Sequence, residues 1–306
     1  MPVPAQNQQY ENFIIRYKQN THGGFDYESD ETFQIVNDLF GILYVPMQEV
    51  PELELSSYSY SSIPRCYTYM DTGALSTSGV TRLHNHPYLK LQGKGTLVAV
   101  IDSGIDYLHP AFHNGVQSKI FSIWDQTLEG GADGRIPFGR EFGRQQIEQA
   151  LASENPWEIV PSSDTNGHGT RSAATAAGYR IEKDNFCGAA PEAEIVIVKL
   201  KQAKNYLRDF YLLPRDIDIF QEDDIMLAIS YVLFIAQEQQ MPLSICIGLG
   251  TSMGAHQGEG PLNEYINSIA AFTQNAVSVP AGNEGTARHH YLREFGPNDT
   301  EDTVEL

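Results

Sequence analysis

Three short segments place polar side chains where an apolar run stops, and their residue types suit acyl-transfer chemistry. The first, Val100-Ile101-Asp102-Ser103-Gly104, ends a strand-like apolar run on an aspartate. The second, Asp164-Thr165-Asn166-Gly167-His168-Gly169-Thr170, sets a histidine between glycines, ahead of a run of small residues from Ser172 to Gly178. The third, Val279-Pro280-Ala281-Gly282-Asn283, delivers an asparagine into a glycine turn. An imidazole can take a proton from a nucleophile while a carboxylate fixes its tautomer, and a side-chain amide can donate to a developing oxyanion. Each segment also has a plainer use: a helix cap at Asp102, a surface loop at His168, and a turn at Asn283, where glycine and asparagine tolerate positive φ. Asp102, Asp106, His109 and His168 offer a second chemistry, that of a metal-binding or hydrolytic protein.

Such residues need strands to hold them, because chemistry in open α/β sheets sits beyond the carboxyl ends of strands. From Gly93 onward apolar strands alternate with helices, the pattern of a parallel sheet. Strands are expected at 96–101, 194–200, 243–249 and 276–280, and helices at 224–237 and 262–272. Two long stretches, 120–163 and 202–222, lack strong periodicity and read as insertions. Residues 1–71 read as a small α+β unit, with strands at 13–17, 42–45 and 66–70 and helices at 32–40 and 50–63. Residues 72–92, opening on glycine, serine and threonine, read as an exposed linker where proteolysis would concentrate.

Composition narrows the function classes. The 306 residues suit two domains, and 41% hydrophobic with 19% charged residues marks a chain that folds. Asp and Glu number 39 against 20 Lys and Arg, and a net charge of -19 repels phosphate backbones, so no nucleic-acid partner is expected. The start Met1-Pro2-Val3-Pro4-Ala5 lacks the basic and apolar regions of a secretory signal, and no apolar run is long enough to span a bilayer. Three scattered cysteines, Cys66, Cys187 and Cys246, fit neither a disulfide framework nor a zinc site.

Taken in order, the segments resemble the subtilases, in which aspartate, histidine and a later serine follow one another along the chain. Ala99-Val100-Ile101-Asp102-Ser103-Gly104 and the following His109-Pro110 look like their aspartate motif, and Gly167-His168-Gly169-Thr170 like their histidine motif. Gly188-Ala189-Ala190-Pro191 through Lys199 is similar to the segment entering their next strand, and Ala281-Gly282-Asn283-Glu284-Gly285 to their oxyanion motif. Ile123-Trp124-Asp125-Gln126-Thr127, Met241-Pro242-Leu243 and His289-His290 resemble the clostridial spore-germination subtilases, a group said to retain its cleaved propeptide and to include pseudoproteases.

The resemblance implies an α/β fold, a subtilisin-like parallel sheet with helices on both faces from residue 93. A ferredoxin-like propeptide domain at 1–71 would precede it, assist folding, and leave its tail near the cleft. It implies His168 as general base, Asp102 as its orienting carboxylate and Asn283 as oxyanion donor. Substrate would lie along Cys246, Gly248, Leu249, Gly250, Ala281 and Gly282. The implied partners are a polypeptide substrate and the chain's own propeptide. No cofactor or metal is implied, calcium being left open, and the implied location is cytoplasmic or spore-associated.

Three departures accompany the resemblance. Cys246 and Gly248 stand where subtilases usually carry asparagine and serine, and Arg171 where many carry histidine. No serine follows Asn283 in this sequence. Gly250-Thr251-Ser252-Met253 spells most of the nucleophile motif, but it precedes Asn283 and runs into Gly254, Gly258 and Gly260, each disfavouring a supporting helix by about 1 kcal/mol. The expectation is therefore a serine endopeptidase fragment lacking its nucleophile and inactive alone. The alternative is a pseudoprotease acting as a binding or signalling module in spore germination.

Overall fold

A computed structural model describes residues 3–16, 32–50, 53, 58–69, 80–84, 86, 88, 91–131, 135–184, 186–254, 257–272, 274–282, 294 and 296. Near the N-terminus, β1 (Tyr10–Arg16), β2 (Phe33–Ile35) and β3 (Phe40–Pro46) form an antiparallel sheet in the order β1-β3-β2. The helix expected at 32–40 is in fact the hairpin from β2 to β3. Asn37 decides between the two: its Oδ1 accepts the N–H groups of Leu39 and Phe40, both at 2.8 Å, closing a turn that competes with helix. The expected helix at 50–63 shows a single 3-10 turn at Tyr60–Ser62 among its described residues. Helices of a ferredoxin-like unit thus have no counterpart among the described residues of 1–71. Strand β4 (Cys66–Tyr69) lies where expected, and a short helix α1 (Val80–His84) falls inside the expected linker.

The remaining elements follow in chain order: β5 (Leu97–Asp102), β6 (Ile120–Asp125), β7 (Arg140–Gly143), α2 (Arg144–Leu151), α3 (Pro156–Ile159) and α4 (His168–Ala177). After them come β8 (Glu194–Lys199), α5 (Asn205–Phe210), β9 (Phe220–Gln221), α6 (Glu222–Gln239), β10 (Leu243–Ile247), β11 (Leu249–Gly250), α7 (Pro261–Ala270) and β12 (Asn275–Ser278). Six strands form one sheet, β12-β10-β5-β8-β6-β7, parallel throughout except for the β6–β7 pair. Every residue of β5 is buried, as expected of a strand covered on both faces. Val98 and Val100 join one core with Ala173 of α4, while Leu97, Ala99 and Ile101 join another with Ile225 and Val232 of α6.

Two stretches read as insertions belong to the fold itself. Residues 120–163 supply β6, a strand inside the sheet, together with β7, α2 and α3. Ser122 breaks the apolar run of β6, and its hydroxyl is satisfied in the core by the Tyr231 hydroxyl at 2.8 Å. Residues 202–222 supply α5 and β9.

The N-terminal sheet packs on the α6 and α7 face, where Ile14, Phe40, Ile42 and Tyr44 share a core with Ile225, Leu262 and Tyr265. Buried polar groups lock that contact. Lys204 Nζ donates to the carbonyl of Pro4 at 2.8 Å, to that of Tyr10 at 3.1 Å and to Asn12 Oδ1 at 2.6 Å. Asn12 Nδ2 donates to Asp223 Oδ2 at 2.5 Å, at the start of α6. A third, smaller sheet places β4 between β9 and β11, antiparallel to both. Its partners are Cys66 with Gln221, Tyr67 with Phe220, Thr68 with Gly250 and Tyr69 with Leu249.

Candidate active site

Asp102 is the last residue of β5 and is fully buried. The Ser103 N–H donates to its Oδ1 at 2.7 Å, and His168 Nδ1 lies 2.7 Å from Oδ1 and 2.9 Å from Oδ2. A buried carboxylate this close holds the imidazole proton on Nδ1, which leaves Nε2 as the basic nitrogen. The pair can therefore accept a proton from a hydroxyl and stabilise the imidazolium that results.

His168 is the first residue of α4, and Asp164 fixes that helix start. Asp164 Oδ1 accepts from Ser103 Oγ at 2.8 Å and from the Gly167 N–H at 3.1 Å, while Oδ2 accepts the Thr170 N–H at 2.8 Å and its hydroxyl at 2.7 Å. Burial pushes the Asp164 carboxyl up, but the bonds from Thr170, Ser103 and Gly167 together outweigh it and hold it below the usual range. The Gly169 N–H donates to Ser103 Oγ at 2.9 Å, and a Cβ on Gly169 would run into the Gly104 carbonyl. Glycine at 169 thus lets α4 close on the end of β5, bringing His168 to Asp102.

Gly248, between β10 and β11, completes the wall. A Cβ there would strike Asp102 Oδ2 and lie 3.2 Å from both Asp102 Cγ and His168 Cε1. The carboxylate occupies the space a serine side chain would need. Cys246, on β10, is flanked in the sheet by Val100 and Ser278. Its thiol is pushed up to about 11, by burial first and then by the negative charge of Asp102.

Leu249 and Gly250 are β11, and the strand added beside them is the chain's own β4. Ala281 and Gly282 are exposed beyond β12, and Asn283 lies outside the described residues. Asp106 and His109 serve local turns, accepting the N–H groups of Leu108 at 3.1 Å and Ala111 at 3.2 Å. Among the described residues no three His, Cys, Asp or Glu side chains gather as metal ligands. Nor is any helix among them long and apolar enough to cross a membrane. Sequence reasoning missed Asp164 and β9. For Asp164 a signal existed, a helix-capping residue type four positions before His168.

The model of the subtilase family matches residues 93–211. Those residues belong to the subtilase family. An intracellular serine protease of Paenibacillus polymyxa is 29% identical over 196 residues, 63% of this chain and 43% of that protein. A subtilisin-like protease of Arabidopsis thaliana is 30% identical over 125 residues, 35% of this chain and 16% of that protein. The solved structure of the Clostridium perfringens CspB protease superposes with a TM-score of 0.56 at 30% identity, covering 68% of this chain and 40% of that one. The chain spans less than half the length of each of these relatives.

Proposed function

We propose that the chain carries the base-and-carboxylate half of a subtilisin-type serine endopeptidase site and the groove that binds its polypeptide substrate. The observation that carries this reading is the Asp102–His168 contact, 2.7 Å at the mouth of the sheet and beside β11. In the mechanism, His168 Nε2 removes the proton from a serine hydroxyl as that oxygen attacks the scissile carbonyl. It then returns the proton to the leaving amine. Asp102 holds the ring and balances the imidazolium charge, and Asn283 donates to the oxyanion. In this reading the nucleophilic serine is supplied by sequence following Leu306.

Residues 1–71 act as a propeptide in this reading, with 72–92 as the linker that is processed. Support comes from β4, which fills the slot between β9 and β11 as a bound strand would. A second reading, a pseudoprotease that binds polypeptides without cleaving them, draws on Cys246 and Gly248, which replace the usual asparagine and serine. A fluorophosphonate probe applied to a chain extended past Leu306 separates the two. The protease reading expects labelling that disappears with His168→Ala; labelling that survives the substitution, or none at all, overturns it.

A further inference from the structure

Arg65 enters the smaller sheet one residue ahead of β4. Its N–H donates to Glu222 Oε2 at 3.1 Å, and its carbonyl accepts the Glu222 N–H at 2.8 Å. The side chain is only 5% exposed, although it carries a full charge. Two backbone positions that lack side chains bracket it. A Cβ on Gly254 would lie 2.7 Å from Nη1 and 2.9 Å from Cζ, and one on Gly260 would strike Nη2 and lie 3.0 Å from Cζ. Both glycines have positive φ, +101° and +121°, so a side chain at either is excluded twice over, by backbone conformation and by the guanidinium.

Charge and rings complete the cup. Glu222 is fully buried; its carboxylate accepts the backbone N–H groups of Arg65 and Leu262 and meets the field of the guanidinium. The Tyr60 ring centre lies 5.9 Å from Arg65 Cζ. Glu222 opens α6 and Gly254 and Gly260 lie between β11 and α7, whereas Arg65 and Tyr60 come from the N-terminal segment laid across them. The planar guanidinium fits between two bare backbone segments, where a lysine ammonium would leave the walls unfilled.

We propose that Glu222, Gly254 and Gly260 form an arginine-recognition subsite. Extended polypeptides held between β9 and β11 are then selected by an arginine at the position of Arg65, one residue ahead of the paired strand. This rests on reading the β9–β11 slot as the substrate groove. A chain carrying Arg65→Ala, which weakens its own strand in the cup, is titrated by fluorescence anisotropy into the millimolar range, where an outside strand can compete with the tethered one. The probes are fluorescein-labelled Pro-Arg-Cys-Tyr-Thr-Tyr and its analogues with alanine or lysine in place of arginine. The arginine peptide is expected to bind at least tenfold tighter than either analogue, and Gly260→Ala in the same background, with its fold checked by circular dichroism, to shrink that preference. Equal binding of all three peptides overturns the subsite and leaves the groove standing, whereas binding of none overturns both. Arg65→Lys, which keeps the charge, gives a second reading: amide exchange of Cys66 to Tyr69 should rise at least tenfold, and unchanged exchange overturns the subsite. Failure of the protease mechanism registers separately, in the fluorophosphonate assay.

Discussion

Asp102 turns both carboxylate oxygens towards one nitrogen of His168, at 2.7 and 2.9 Å. Asp102→Asn replaces one acceptor oxygen with an NH2 group and removes the charge that stabilises an imidazolium. In a chain that includes the serine, kcat/KM is expected to fall by roughly 10³ to 10⁴, with KM little altered. A loss of less than tenfold in steady-state peptide hydrolysis would show that His168 works without this carboxylate.

Gly248 controls the room Asp102 occupies. Gly248→Ala forces the carboxylate or β11 aside, costing about 1–3 kcal/mol of stability as an overpacked site. The same shift should slow fluorophosphonate labelling of the serine-containing chain by about 10²-fold. If denaturant midpoint and labelling rate both match the parent, the strand moves freely and the contact constrains nothing.

Asp164→Asn should cost about 1–2 kcal/mol at neutral pH, because the capping of α4 and the bond to Ser103 weaken together. The folded carboxyl sits below its ordinary value. Its contribution is therefore fully present above that ordinary value and is lost as pH falls through and below it. Urea unfolding at pH 7 and near pH 3 tests the sign: the gap between parent and variant should narrow in acid. A gap that widens refutes the assignment.

Lys204→Met removes one donor from three acceptors of the N-terminal segment, the Pro4 and Tyr10 carbonyls and Asn12 Oδ1. Stranding buried acceptors should destabilise the contact by about 3 kcal/mol. Limited proteolysis reads this as faster cleavage within residues 1–16 of the variant. Equal cleavage rates would mean the apolar contact alone holds that segment.

Cys246 should resist alkylation. With its thiol pushed up to about 11, the thiolate fraction at pH 8 lies on the order of 100-fold below that of an ordinary cysteine. Iodoacetamide labelling followed by mass spectrometry should find Cys246 unmodified when a small reference thiol has fully reacted. Asp102→Asn should move its reaction profile to lower pH, and a profile that does not move excludes the aspartate field as a cause.

Asp102 and His168 were legible because an aspartate ending an apolar strand and a histidine between glycines each need an unusual backbone setting. The strands holding them were legible where apolar residues ran unbroken, as in β5 and β8. Strand β6 was not, because Ser122 interrupts it and only the distant Tyr231 makes that hydroxyl affordable in the core. The hairpin at Asn37 was misread because its flanking apolar residues satisfy a helical period as well as a strand period. In the sequence Gly248 reads only as a departure from the usual serine, since its meaning depends on which strand lies beside β10.

β9 and β11 contribute two residues each, and β4 is the rung that joins them. A rung on the same chain faces the slot at an effective concentration in the millimolar range, whatever the dilution of the protein. An outside polypeptide of micromolar affinity therefore meets a competitor about a thousandfold ahead of it. Diluting the sample leaves that ratio untouched; cutting the tether is what changes it.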